Sequence, residues 1–140
     1  MTDTALAAST LLAAAVIVHD PGSDRVVLLR RGPGEPVTAT AVRELAEETG
    51  LVVDPADLRL AHVVHGRRET GTRGGLLTFL TVIFLARRWR GTLRNAEPHK
   101  HAEARWTPVG ELPANSAASA DAIVREALAG DVGLGLHGWP

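Results

Sequence analysis

Three glutamates and an arginine within one short stretch have evident chemical capacity: Arg43, Glu44, Glu47 and Glu48. A helix turns about 100° per residue, since ~3.6 residues make a turn. Carboxylates at i, i+3 and i+4 therefore share one face over about one turn. Clustered carboxylates repel one another, so this face does little for folding by itself. A hard divalent cation reverses the sign, because Mg²⁺ prefers carboxylate and water oxygens. The competing reading is an ordinary solvated face in which Arg43 and Glu47 form a simple i, i+4 ion pair.

The element that must position these groups is a helix over Val37–Thr49. Thr38, Val42, Leu45, Ala46 and Thr49 fall on the side away from the charged residues, and Val42, Leu45 and Ala46 are expected to anchor the helix to a sheet. Gly50 follows the last periodic residue, where a left-handed C-cap is easiest for glycine. Upstream, Gly32-Pro33-Gly34-Glu35-Pro36 breaks the preceding strand. Pro36 suits the first turn, and Glu35 puts negative charge at the positive end of the helix dipole.

The run Arg43-Glu44-Leu45-Ala46-Glu47-Glu48-Thr49-Gly50-Leu51 resembles the core of the Nudix box, R-E-U-x-E-E-x-G-U with U aliphatic. Glu35 stands eight residues before Arg43, where the longer Nudix pattern also has a glutamate. Glu103-Ala104-Arg105-Trp106-Thr107-Pro108 followed by Glu111-Leu112-Pro113 looks like the late strand and "leu-pro" loop common in the family. Asn95-Ala96-Glu97-Pro98-His99-Lys100 is similar to a segment of MutT-like members that act on nucleoside triphosphates.

The resemblance implies an α/β fold, a Nudix-type α/β/α sandwich with a mixed sheet. It implies Mg²⁺-dependent hydrolysis, with Mn²⁺ as an alternative ion, of a nucleoside diphosphate linked to a further group. The leading substrate is a nucleoside triphosphate, oxidised or not, cut to monophosphate and pyrophosphate. ADP-ribose or a nucleotide sugar is the alternative substrate, and a nucleotide-binding module without turnover is the alternative from another class. Glu44, Glu47 and Glu48 are then metal ligands, with Glu44 or Glu47 as general base and Arg43 orienting a carboxylate through a bidentate pair. Glu35 and Gly50 are fixed positions of the motif. Glu103 is a further candidate metal ligand, with a rim pair to Arg105 as its alternative.

The resemblance breaks upstream of Glu35. The box's first glycine should stand six residues earlier, where this chain has Leu29. Only Gly32 and Pro33 separate Arg31 from Gly34, whereas family members carry a longer glycine-containing segment there. Either the protein lacks that segment, or it possesses one over which the sequence closes; the matching flanks favour the second. A true deletion would cripple the metal site. It could also send the helix to another subunit's sheet, since four residues span at most about 14 Å.

Length and composition set the frame. The 140 residues fit one domain with a proper core, and 45% hydrophobic with 22% charged residues is ordinary for a soluble globular protein. A net charge of -1 gives no electrostatic case for nucleic acid or an anionic membrane. The absence of cysteine excludes disulfides and thiol chemistry. No Lys or Arg precedes the apolar run Ala5 to Val18, which is too short and alanine-rich to span a bilayer. The expectation is a cytoplasmic protein with a nucleotide small molecule as its partner and a homodimer left open.

The remaining elements follow from pattern. Leu11 to His19 and Arg25 to Arg30 are β-rich runs around Asp20-Pro21-Gly22-Ser23-Asp24, hence paired strands. Arg30 and Arg31 close the second strand, either as phosphate contacts or as an edge charge pair. Leu58 to Val64, Leu76 to Ala86 and Ala102 to Thr107 read as further strands, with a short continuation at Trp89 to Leu93. Gly66 to Gly75 reads as a mobile hairpin tip, with Arg67, Arg68 and Arg73 as phosphate contacts or, as the default, solvated loop arginines. A helix spans Ser119 to Ala129 with Ser119 as N-cap, Gly130 as its end, and Ile123, Val124, Ala127 and Leu128 buried. Asp131 to Pro140 reads as a loose glycine-rich tail. His99-Lys100-His101 has His-x-His metal spacing but no evident third ligand, which favours a wet loop. His62 and His65 take opposite strand faces, and Phe79 and Trp106 are expected in the core, with stacking on a base as the alternative.

Overall fold

The computed structural model describes residues 10–31, 36–69, 75–94, 105–112 and 120–140, and the side chains of these except 28–31 and 120–121. Strand β1 (Thr10–Asp20) turns back into β2 (Arg25–Arg31), followed by α1 (Val37–Thr49), β3 (Arg59–Glu69), β4 (Leu76–Ala86), β5 (Thr107–Pro108), α2 (Ala120–Ala129) and β6 (Gly133–His137). The β1–β2 turn is tied by Asp20, whose carboxylate accepts the Ser23 hydroxyl at 2.7 Å and the Gly22 N–H at 3.0 Å. The Ser23 bond foremost holds this carboxyl below its ordinary value.

The six strands form one mixed sheet in the order β5-β2-β1-β4-β3-β6. β1 runs parallel to β4 and antiparallel to β2, while β3 is antiparallel to β4 and parallel to β6. Alternation along β1 sorts the core into two layers. Ala14, Val16 and Val18 point to one side, where they pack with Val27, Phe84 and Ala86 under Ala41 and Leu45 of α1. Ala15 and Ile17 point to the other, with Val26, Ile83 and Leu85 under Val124 and Ala127 of α2. Ile17, Val18 and Leu45 have no exposed surface. The architecture is the expected α/β/α sandwich, and α1 seats on β1 and β2.

Four features differ from the sequence reading. β3 continues through Gly66 to Glu69, because the Phe79 ring of β4 lies over Gly66 where any side chain would collide with it. Trp89 to Leu93 is no strand; its Arg90 makes a two-way bridge with Val52, N–H to O at 2.9 and 2.8 Å. Residues 133–137 are a strand rather than a tail, since the alternation Gly-Leu-Gly-Leu lets β6 lie against β3 with its glycines over the His62 ring. The late strand, expected from Ala102, is described only as β5, paired with Arg25 and Val26. Ser119 and the His99–His101 pair lie outside the described residues.

Candidate active site

α1 has the expected bounds. Its first N–H groups follow Pro36, whose ψ of 137° is still extended. Gly50 closes it at φ 76°, its N–H donating to the Ala46 carbonyl at 3.0 Å. Downstream, the chain after β4 clasps this end. The Arg94 N–H donates to the Thr49 carbonyl at 2.7 Å, and Gly91, at φ 86°, rests on the Gly50 carbonyl where a Cβ would not fit.

The buried stripe of α1 is Thr40, Ala41, Leu45, Glu48 and Thr49. It is rotated from the expected anchoring face: Thr38 is exposed, and Val42 and Ala46 are only half-buried. Glu48 follows Ala41 by seven residues, two turns, and so stands over the same strip. It is 2% exposed, and its Oε2 is a buried oxygen with no hydrogen bond among the described residues. Thr49 closes the strip by donating to the Leu45 carbonyl at 2.6 Å and accepting the Leu51 N–H at 3.2 Å.

Arg43, Glu44 and Glu47 form the accessible part of the cluster. The Arg43 Nη1 donates to Glu44 Oε1 at 3.2 Å and to Glu47 Oε1 and Oε2 at 3.4 and 3.3 Å. These contacts share one nitrogen and join both carboxylates to Arg43. The Glu44 side chain is 19% exposed and that of Glu47 51%. Mg²⁺ is commonly held by one or two carboxylates plus waters and substrate phosphates, at Mg–O distances of about 2.0–2.1 Å. The Arg43 Nη1 lies between Glu44 and Glu47, so an ion bridging both carboxylates requires that guanidinium to turn aside. The donor set thus fits a hard divalent ion as a two-carboxylate site. A ready three-ligand group is not present among the described residues.

The other sequence candidates are placed unevenly. Arg30 and Arg31 end β2, their backbones opposite Ala15 and Ala14 of β1; their side chains are not described. Glu35, Glu103 and Arg73 lie outside the described residues. Arg67 is occupied elsewhere: it lies 5.6 Å from the Trp139 ring and donates to the Gly138 carbonyl at 3.3 Å. Trp106 packs against Trp89 at 5.2 Å and against the core beneath α1, with the Arg25 guanidinium over it at 5.5 Å. Phe79 packs in the α2 layer. His62 and His65 do take opposite faces, His62 toward Glu126 of α2 and His65 toward Trp139.

A family model described as the NUDIX domain matches residues 10–128. The chain belongs to the Nudix family. No curated protein matches it. Among solved structures, this Nudix chain is similar to a MutT protein from Bacillus halodurans at 23% identity, with 93% of this chain and 91% of that one covered and a TM-score of 0.68. A MutT NUDIX hydrolase from Burkholderia pseudomallei is 20% identical over 83% of this chain and 97% of that one, with a TM-score of 0.65. A MutT from a study of the Aliivibrio salmonicida and Vibrio cholerae proteins is 15% identical over 88% and 100%, with a TM-score of 0.57. At such identities these neighbours show the shared fold. Family membership makes the chain a Nudix hydrolase, an enzyme that cuts pyrophosphate-linked substrates, and Nudix hydrolases generally use a divalent metal. No helix among the described residues is long and apolar enough to cross a membrane.

Proposed function

We propose that this Nudix hydrolase acts with Mg²⁺, or Mn²⁺ in its place, on a nucleoside triphosphate, oxidised or not, and releases the monophosphate and pyrophosphate. The observation that carries the reading is the meeting of Glu44 and Glu47 on one guanidinium nitrogen, on a helix whose sequence fits the Nudix box. The bound ion would neutralise the polyanionic diphosphate and acidify an attacking water. Glu44 and Glu47 hold that ion from the exposed side of α1, with Glu48 as a third ligand from its buried edge and Glu103 as a candidate fourth. Glu44 or Glu47 takes the proton of the attacking water. Arg43 orients a carboxylate of the site through a bidentate pair. Arg30 and Arg31, at the end of β2, contact substrate phosphate. Glu35 and Gly50 complete the motif by fixing the two ends of the helix. The enzyme works in the cytoplasm on a small nucleotide.

A second reading, a nucleotide-binding module with little turnover, is favoured by the short Gly32-Pro33 link where the family has a longer segment. Turnover of a panel of nucleoside triphosphates, ADP-ribose and nucleotide sugars with Mg²⁺ distinguishes the readings. The expected result is pyrophosphate release from triphosphates that falls at least a hundredfold in Glu47→Gln. Turnover unchanged in Glu47→Gln would refute the site. Binding without turnover would favour the module, and preferred cleavage of ADP-ribose would move the substrate.

A further inference from the structure

β6 is the last strand of the sheet; one of its edges pairs with β3, and the other meets no strand among the described residues. Proteins usually guard such an edge with charge, proline or a bulge, because its open N–H and C=O groups template pairing with another chain. Gly133–His137 carries none of these, and its one ionisable side chain is His137. The strand is also held firmly in place. The Trp139 Nε1–H donates to the His65 carbonyl at 3.0 Å, its ring lies 4.7 Å from that of His65, and Arg67 covers it while holding the Gly138 carbonyl. The open edge is therefore presented as rigid structure.

Its side chains are self-complementary. Leu134 and Leu136 are 63% and 66% exposed and lie on the same sheet face. The apolar pattern Gly-Leu-Gly-Leu reads alike in both directions about Gly135. We propose that β6 pairs antiparallel with β6 of a second copy of this chain, about a two-fold axis at Gly135. In that register Leu134 faces Leu136 of the second copy, twice, and Gly133 faces His137, so no like charges meet. Val132, 61% exposed, and Leu60, 46% exposed, continue the apolar surface beside the strand. Backbone pairing over five residues with these side chains puts the contact near the low end of specific interfaces, on the order of 1,000 Å² in total. A two-fold axis demands one patch that complements itself, which is what this strand offers. An extended peptide from another protein would need no such symmetry.

Because the chain has no cysteine, Leu134→Cys and Leu136→Cys each carry a single thiol at an exposed position. Residues directly opposite in an antiparallel pair have Cα atoms about 4.5–5.5 Å apart, inside the disulfide range, whereas 134 opposite 134 would be offset by two residues and lie beyond about 7 Å. On mild oxidation, the mixture of the two variants should give a disulfide-linked dimer and neither variant alone should. Sedimentation of the unmodified chain should show a concentration-dependent dimer over the micromolar range, and Leu136→Lys should sediment as a monomer whose melting curve matches that of the wild type diluted below its dimerisation range. A monomeric wild type, a Leu136→Lys variant that still dimerises, or cross-linking as strong in the separate variants as in the mixture would each overturn the proposal.

Discussion

Replacing Gly50 by alanine tests whether the C-terminal clasp of α1 is as tight as the geometry requires. Alanine in the left-handed region costs about 1–2 kcal/mol. Its Cβ would also lie 2.8 Å from the Thr92 carbonyl oxygen and 3.1 Å from Cγ and Nε of Arg94. The arginine side chain can swing away. The carbonyl cannot do so freely, because the Arg94 N–H two residues on is tied to the Thr49 carbonyl at 2.7 Å. Shifting that backbone by a few tenths of an ångström adds about 1 kcal/mol, so the whole cost is about 2–3 kcal/mol, a large single-residue effect. At about 2–4 °C per kcal/mol for a chain of this size, Tm should fall by roughly 5–10 °C. Thermal unfolding followed by far-UV circular dichroism measures it. Gly50→Asn separates the two causes, because asparagine tolerates the left-handed backbone yet keeps the Cβ; it should recover about half of the loss. A Gly50→Ala melt within about 2 °C of wild type would refute the reasoning.

Other outcomes follow from the same contacts. Leu45→Ala opens a cavity at a side chain with no exposed surface and should cost about 2–5 kcal/mol in urea unfolding. Glu47→Gln, half-exposed in a helical ion pair, should change stability by less than about 0.5 kcal/mol in the same assay, so its loss of turnover would report on chemistry. Gly66→Ala should lower Tm, because the new methyl meets the Phe79 ring; adding Phe79→Leu should restore part of the loss. An intact mass above 14.8 kDa is the expected result if the protein carries the segment missing between Arg31 and Gly34, and a mass at that value would sink the idea.

The sequence made some elements legible and hid others, for physical reasons. β4 and α1 were readable to the residue. One is an apolar run bounded by glycine and charge, and the other ends at a glycine that must be left-handed. The face of α1 was not. Alanines at 39, 41 and 46 surround the helix, so the apolar stripe can be drawn in two ways, and Glu48 looks polar wherever it lies. Its burial depends on β1 and β2 beneath it, which no local pattern reports. β6 was missed because glycine argues for a loose tail. Here glycine eases a close pass over a neighbour 71 positions away, since a Cβ at Gly133 would stand 3.3 Å from the ring of His62. The leucine alternation was the available signal. The carboxylate pair of Glu44 and Glu47 was legible from spacing, but the distances at which Arg43 joins them were not, because they depend on rotamers.

The clasp on α1 also bears on what the helix can tolerate at its other end. Two bonds between Val52 and Arg90, one from Arg94 to Thr49, and the contact of Gly91 with Gly50 fasten the helix to the chain just after β4, and β4 pairs with β1 along nine residues. The height of the carboxylates above the sheet is thereby set from downstream. The number of residues joining Arg31 to Val37 acts as a tether whose length does not enter that setting. Lengthening the tether costs only slowly growing closure entropy. Insertions between Arg31 and Gly34 should therefore leave Glu44 and Glu47 at the same place over the sheet, while a single residue added between Gly50 and Val52 should displace both.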